Sequence, residues 1–132
     1  MHAGASPILT GGTALDHLYA MKAMASDSEM PPELVQLVAD RFKALGEPAR
    51  LRILQALRTG EKTVSELMQD AGLSQANTSK HLRMLYGLGF VDRRKDGLHV
   101  RYRLADQSVM HLCDVMCGRL EQKLAADRKL FS

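Results

Sequence analysis

The sequence has little of what secreted, membrane-spanning and disulfide-rich proteins depend on. It contains no Trp and only two Cys, and aromatic residues make up 5% of its 132 residues. No apolar run approaches the roughly 18 residues that a transmembrane helix needs. The first residues also lack the basic and apolar segments of a secretory signal, and two Cys are too few for a disulfide framework. We therefore expect a cytoplasmic protein that does not enter a membrane.

Recognised catalytic motifs are missing as well. The sequence contains no glycine-rich phosphate loop, no nucleophile paired with a base and no metal ligands at a recognised spacing. Its length suits one compact domain, and neither internal repeats nor a linker divide it. We therefore expect a binding protein rather than an enzyme.

Charge is unevenly distributed along the chain, although the net charge is only +3. Residues 1–40 carry five acidic residues and one Lys, whereas residues 74–103 carry seven Lys or Arg and two Asp. A local excess of positive charge favours nucleic acid as a partner. A solvated basic face explains the same composition equally well when charge is the only evidence.

Apolar residues recur at helical spacing through most of the chain. The predicted helices, bounded by Pro, capping residues or Gly, cover 31–45, 48–59, 63–71, 74–87 and 106–129. The apolar positions of the first of these are Leu34, Val35, Val38, Phe42 and Leu45. Residues 1–30 are predicted to form an N-terminal tail with a short helix at 13–25.

The periodicity changes from helical to alternating near residue 97. Apolar Leu98, Val100, Tyr102 and Leu104 alternate there with His99, Arg101 and Arg103. A preceding strand is expected at 90–95, and Asp96-Gly97 is expected to form the turn with a positive φ at both residues. The predicted fold class is mostly α with a small β-hairpin.

The helices at 63–71 and 74–87 are joined by only Gly72-Leu73, and the charged hairpin follows them. This order is that of a winged helix-turn-helix, which we assign to residues 31–105. A DNA-binding helix-turn-helix places the N-terminal residues of its second helix on base edges in the major groove. The hairpin is then the wing.

The second helix offers hydroxyl, amide and basic groups in its first turns. Gln suits adenine and Lys suits guanine, whereas an ordinary capped helix facing solvent is the alternative. The candidate DNA-binding residues of this helix are Ser74, Gln75, Ala76, Asn77, Ser79, Lys80, His81 and Arg83.

The wing supplies basic groups that would contact phosphates and fix the register on DNA. Protection of an edge strand against aggregation by charge is the alternative, and both roles suit the same residues. The candidates in the wing are Arg93, Arg94, Lys95, His99 and Arg101.

The segments "LGEPARLRILQAL" and "VSELMQDAGLSQANTSKHLRMLYGLGFVDRRKDGLHVRYRL" resemble the ArsR/SmtB family of bacterial winged-helix repressors. The resemblance covers about residues 40–105. It implies a homodimer paired through its N- and C-terminal helices, with residues 106–132 as the C-terminal dimerisation helix. It also implies binding to an imperfect palindrome in double-stranded promoter DNA, and repression that is relieved by a metal ion or another inducer.

The sequence departs from the sensing sites of that family. A Cys-Val-Cys segment of arsenic-type members is Thr63-Val64-Ser65 here, and hydroxyls are poor ligands for a soft ion. Of the zinc-type ligands at the C-terminal helix, only Asp106 matches, because Ser108, Arg119 and Gln122 occupy the other positions. One ligand of four cannot form a closed tetrahedral site.

Cys113 and Cys117 are the remaining candidates for a sensor. They share an apolar stripe with Val109, Met116, Leu120 and Leu124. Buried Cys often acts as a small apolar residue, so a structural role is one hypothesis. Residues four apart on a helix face the same way, about 6 Å apart, so the thiols are also candidates for a soft metal or metalloid ion or for redox chemistry. A basic side chain close to the sulfur lowers a thiol pKa, and the sequence does not show whether Arg119 or Lys123 lies close enough.

Two further hypotheses concern the whole chain. A winged helix can bind protein instead of DNA, as in the dimerisation modules of small-molecule methyltransferases, but the basic segment 74–103 argues against that role. A MarR-like repressor is a neighbouring alternative that fits the wing and the second helix less well.

Overall fold

The computed structural model describes residues 29–131 of the chain, so the helix predicted at 13–25 lies outside the described residues. The elements are α1 (Pro32–Leu45), α2 (Pro48–Ala56) with a 3-10 turn (Leu57–Thr59), β1 (Lys62–Thr63), α3 (Val64–Ala71), α4 (Gln75–Gly87), β2 (Val91–Asp96), β3 (His99–Leu104) and α5 (Ser108–Phe131). The predicted class, mostly α with a small β-hairpin, is confirmed, and β1 adds a third strand to the hairpin. The chain divides into two compact units, and the boundary along the sequence falls within α1, between Phe42 and Lys43.

Local capping sets the ends of the two helices that form the helix-turn-helix. The Thr63 hydroxyl accepts a hydrogen bond from the Glu66 backbone N–H at 3.2 Å, and the Glu66 carboxylate accepts one from the Thr63 N–H at 2.8 Å. Gly72 ends α3 in the left-handed conformation with φ 67°, which Gly adopts without strain. The Ser74 hydroxyl then caps α4 by accepting from the Asn77 N–H at 3.2 Å.

The core of the second unit lies between α2, α3, α4, the base of the sheet and the first turn of α5. Its centre is aliphatic, and the side chains in it with no exposed surface are Ile53, Leu54, Leu67, Leu82 and Leu85. Thr78 on α4 is also fully buried, and its hydroxyl donates to the Ser74 carbonyl at 2.8 Å. Burial of these side chains fixes which face of α4 points outward.

The sheet contains three antiparallel strands in the order β1-β3-β2. The two-residue β1 has too short a pattern to be predicted from sequence. The predicted turn at Asp96-Gly97 is wrong by one residue: Asp96 pairs with His99, so the turn residues are Gly97 and Leu98. Only Gly97 has a positive φ, at 63°, as in a turn with Gly at its first central position. No helix within residues 29–131 is long and apolar enough to cross a membrane.

A buried contact joins α2 to α4. His81 is buried on α4, and its Nδ1 lies 3.3 Å from a guanidinium nitrogen of Arg50. The Arg50 Nε donates to the Ala44 carbonyl at 2.6 Å, which holds the guanidinium in place. Burial lowers the pKa of His81, and the charges of Arg50 and Lys80 lower it further, against the opposing effect of Glu47. The neutral imidazole is therefore the form that the fold accommodates.

We predict that Thr63→Ala lowers the free energy of unfolding by about 1 kcal/mol, because it removes one side of the capping box of α3. Thr63→Ser keeps the hydroxyl and is expected to retain most of the stability. Urea denaturation at one fixed protein concentration measures both variants. Equal losses in the two variants would contradict the capping role.

We predict that His81 makes the protein less stable as pH falls from about 7 to 5. The unfolded chain binds a proton at a higher pH than the folded chain does, so the free energy of unfolding decreases on acidification through that window. His81→Gln should show a shallower decrease in urea denaturation at each pH. His111→Gln, at an exposed position on α5, controls for the loss of an imidazole, and an unchanged slope in His81→Gln would contradict the assignment.

Candidate nucleic-acid interface

The outward face of α4 is formed by the residues of its first two turns. Gln75, Ala76, Asn77 and Lys80 are exposed there, and Ser79 is half-buried. Arg83 is exposed one turn further on, and Ser74 is the N-cap. This face lies at the N-terminal end of a helix, where the unpaired N–H groups and the dipole favour anions. The helix therefore presents hydrogen-bonding groups and positive charge together.

Within residues 29–131, Lys80 and Arg83 take part in no ion pair. No acidic residue of the described part of the chain therefore neutralises their charges. His81 differs from its neighbours, because the structure places its side chain inward against Arg50. The sequence pattern grouped His81 with the DNA-binding candidates, but its buried position makes it a packing residue between α2 and α4.

The register of the wing separates its side chains onto two faces. Arg93 pairs with Tyr102 and Lys95 with Val100, whereas Arg94 pairs with Arg101. Since side chains alternate across a strand, Arg93 and Lys95 share the face that continues into the core. Arg94 and Arg101 share the opposite face, which we call the outer wing face and which contains Glu61, Asp92, Arg94, Asp96, His99, Arg101 and Arg103.

The outer wing face is a set of ion pairs. The Arg94 guanidinium donates to both oxygens of Glu61 at 2.8–3.1 Å. Arg101 donates to Asp96 at 2.7 Å. The hydrogen bond from Arg94 is the main cause that lowers the pKa of Glu61, and the hydrogen bond from Arg101 likewise lowers the pKa of Asp96. Sequence reasoning found these basic residues but missed their acidic partners, since Glu61 lies 33 positions before Arg94 and Asp96 was assigned to the turn.

A weaker pair extends the outer wing face, with Arg103 lying 3.6 Å from Asp92. On the other face, the Arg93 guanidinium stacks over the Tyr86 ring at 4.1 Å, a cation–π contact that leaves its N–H groups available. Lys95 and His99 are exposed near the turn. Leu98 is fully exposed at the wing tip.

The cysteines occupy different environments on α5. Cys113 is half-buried against the core, and burial raises the pKa of its thiol. Cys117 is exposed and donates to the Glu121 carboxylate at 3.0 Å, which raises the pKa of that thiol. Neither Arg119 nor Lys123 is among the groups that shift these thiols, and the pKa of both is raised rather than lowered. Residues 29–131 contain no group of three or more His, Cys, Asp or Glu placed to hold a metal ion.

An ion pair beside Cys113 links α5 to the end of α2. Arg58 donates to both oxygens of Asp114 at 2.7 and 2.8 Å, and this hydrogen bond lowers the pKa of Asp114. Asp106 accepts from the Ser108 N–H at 2.9 Å at the start of α5. The one residue that matches a zinc-type ligand therefore serves as a helix cap.

Comparison with known proteins places this geometry in a family. The sequence profile described as bacterial regulatory protein, arsR family, matches residues 47–93, from the N-cap of α2 into β2. A probable mercury resistance operon repressor of Streptomyces lividans is 38% identical over 108 residues, which are 82% of this chain and 82% of the relative.

Solved structures agree with the sequence comparison. The crystal structure of Mycobacterium tuberculosis Rv0081 aligns with a TM-score of 0.65 at 36% identity, covering 74% of this chain and 97% of that one. The homodimeric winged helix-turn-helix DNA-binding domain of Mb0332 from Mycobacterium bovis, solved by NMR, aligns with a TM-score of 0.65 at 31% identity, covering 76% and 94% of the two chains. This chain, with its winged helix-turn-helix, therefore belongs to the ArsR/SmtB family of bacterial regulatory proteins.

Proposed function

We propose that this protein is a homodimeric transcriptional repressor that acts in the cytoplasm and binds an imperfect palindrome in promoter DNA. The observation that carries the proposal is the exposed polar face at the capped N-terminus of α4, directly after the tight turn from α3. In this arrangement α4 enters the major groove, where Gln75 and Lys80 reach base edges. The Ser79 hydroxyl and the N-terminus of α4 contact the phosphate backbone of the DNA. Lys95 and Arg93 of the wing reach adjacent phosphates.

A second copy of the chain is the partner that α5 favours. Its apolar residues Leu112, Val115, Met116, Leu120 and Leu124 are 52–62% exposed in the single chain. A contiguous apolar surface on one helix is costly in water and marks an interaction site. The homodimeric structure of Mb0332 supports pairing of copies in this family, and two-fold pairing would place two copies of α4 on successive major grooves.

The proposed inducer is a soft thiophilic ion at Cys113 and Cys117. Mercury in the name of the Streptomyces relative supports this class, and thiolates are the ligands that such ions prefer. A raised thiol pKa slows oxidation, which needs the thiolate, and it also weakens ion binding, because the ion must displace the thiol proton. The choice of a soft ion over an oxidant therefore rests on the Streptomyces relative. Pairing about a two-fold axis would bring four sulfurs to one seam.

Coupling to DNA follows from the position of Cys113. It packs against the core of the DNA-binding unit, and its neighbour Asp114 is held by Arg58 at the end of α2. An ion that binds the thiols more tightly in one arrangement of α5 would shift the dimer toward that arrangement. If the cysteines are structural, the same half-buried position of Cys113 is simply packing.

We predict that Lys80→Ala weakens binding to the promoter operator by about tenfold to a hundredfold and relaxes its sequence preference, because Lys80 is placed to reach a base edge. Fluorescence anisotropy with labelled operator at fixed salt measures the affinity, and single-base operator variants measure the preference. Lys123→Ala on α5 is the control for the charge change. Wild-type affinity and preference in Lys80→Ala would contradict the placement of α4, and failure of the wild type to bind any promoter DNA would favour a protein-binding winged helix.

We predict that a soft ion releases the reduced protein from its operator through the cysteines. Mercuric ion, trivalent arsenic, cadmium and peroxide are added separately in the anisotropy assay, with wild type, Cys113→Ser and Cys117→Ser. Release of wild type by a soft ion, with both variants remaining bound, is the expected result. Release of all three proteins alike, or of none, assigns the cysteines a structural role.

A further inference from the structure

Glu61 lies immediately before β1 and is the only acidic residue of the described chain that binds Arg94. Arg94 donates to it through Nε, at 2.9 and 3.1 Å, and through a terminal nitrogen at 2.8 Å. This fork-to-fork geometry is the strongest that Arg forms with a carboxylate, and a phosphate requires the same N–H groups. Glu61 and a DNA phosphate therefore compete for one guanidinium.

The rest of the outer wing face is balanced in the same way. Arg94 and Arg101 are directly opposite across β2 and β3, a like-charge pair that destabilises a sheet unless counter-charges lie close. Glu61 holds the first and Asp96 the second. Three Arg and three acidic residues thus share this face, since Asp92 lies near Arg103.

The cations of α4 and of the wing tip contrast with this balance. Lys80, Arg83 and Lys95 form no ion pair within the described residues. Within the described residues, positive charge is therefore left available on α4 and at the wing tip, and is neutralised on the outer wing face. Non-specific binding to DNA comes almost entirely from phosphate contacts. Neutralisation of the arginines on the outer wing face therefore lowers non-specific affinity most directly.

We propose that Glu61 is a specificity-determining residue, which occupies Arg94 and so lowers the affinity of the wing for DNA of arbitrary sequence. This inference rests on the proposed function. At the operator, base contacts from α4 fix one register. On other sequences the protein samples many registers, and an Arg94 that is not bound to Glu61 contacts a phosphate in more of them than a bound one does. Loss of Glu61 should therefore strengthen non-specific binding more than operator binding.

The test compares wild type, Glu61→Gln, Arg94→Ala and the double variant on labelled operator and on a scrambled duplex, across a series of KCl concentrations. Glu61→Gln should bind the scrambled duplex about threefold to tenfold more tightly, with a lower operator-to-scrambled affinity ratio. Its salt slope should steepen by about 0.9 for each protomer, because one further phosphate contact releases its counterions. The Arg94→Ala background should abolish these changes.

Asp127→Asn is the matched control, because it removes one negative charge at an exposed position of α5. An unchanged affinity, slope or ratio in Glu61→Gln would overturn the inference. A gain that persists without Arg94, or that appears equally in Asp127→Asn, would overturn it as well. If wild type binds the operator and Glu61→Gln behaves like wild type, only this inference fails, whereas a wild type that binds no DNA rejects the proposed function.

Discussion

The burial of one side of α4 is the constraint on which the rest of the interface depends. Thr78, Leu82 and Leu85 have no exposed surface, so rotation of the helix about its axis would expose apolar area and remove close packing. The left-handed Gly72 and the Ser74 cap fix where the helix begins. The polar residues of its first turns face outward because the opposite, apolar side of α4 must stay buried in the core.

The basic residues of the wing lie on two faces that differ in how far their charge is neutralised. Alternation along β2 and β3 sends Arg94 and Arg101 to the outer wing face, where acidic residues pair with them, and sends Arg93 and Lys95 to the other face. Exposed ion pairs contribute little to stability. Their larger effect is on which charges remain available to a polyanion, and that effect depends on the register of the sheet rather than on composition.

Helix boundaries and the winged helix-turn-helix could be predicted because their signals are local. The capping box at Thr63 and the Gly72 stop need only residues within one turn of the helix. The predicted position of the hairpin turn was wrong by one residue, because Asp96-Gly97 and Gly97-Leu98 both allow a two-residue loop with one Gly. Pairing between β2 and β3 decides which of the two forms. The short β1 and the Glu61–Arg94 pair depend on residues far apart in the sequence.

Helical periodicity also could not separate core from interface. Leu34 is buried, whereas Val35 and Phe42 of the same predicted stripe are exposed. On α5, Val109 and Met110 are buried, whereas Leu112 and the apolar residues from Val115 to Leu130 are exposed. A pattern of apolar residues reports which face avoids water but not whether the chain itself or a second copy covers that face. The environment of Cys113 was hidden for the same reason, because its contact with the core raises the pKa of its thiol. The contact between Cys117 and Glu121 lies within one turn of α5 and is local enough to predict.

Two copies of α4, related by two-fold symmetry, are proposed to read successive major grooves of promoter DNA. Hydroxyl-radical footprinting of the wild-type protein on its own promoter tests this arrangement most directly. We expect two protected regions, symmetric about one point and centred about 10 base pairs apart or a multiple of that spacing. A single protected region, or no protection at protein concentrations that saturate binding, would contradict this arrangement.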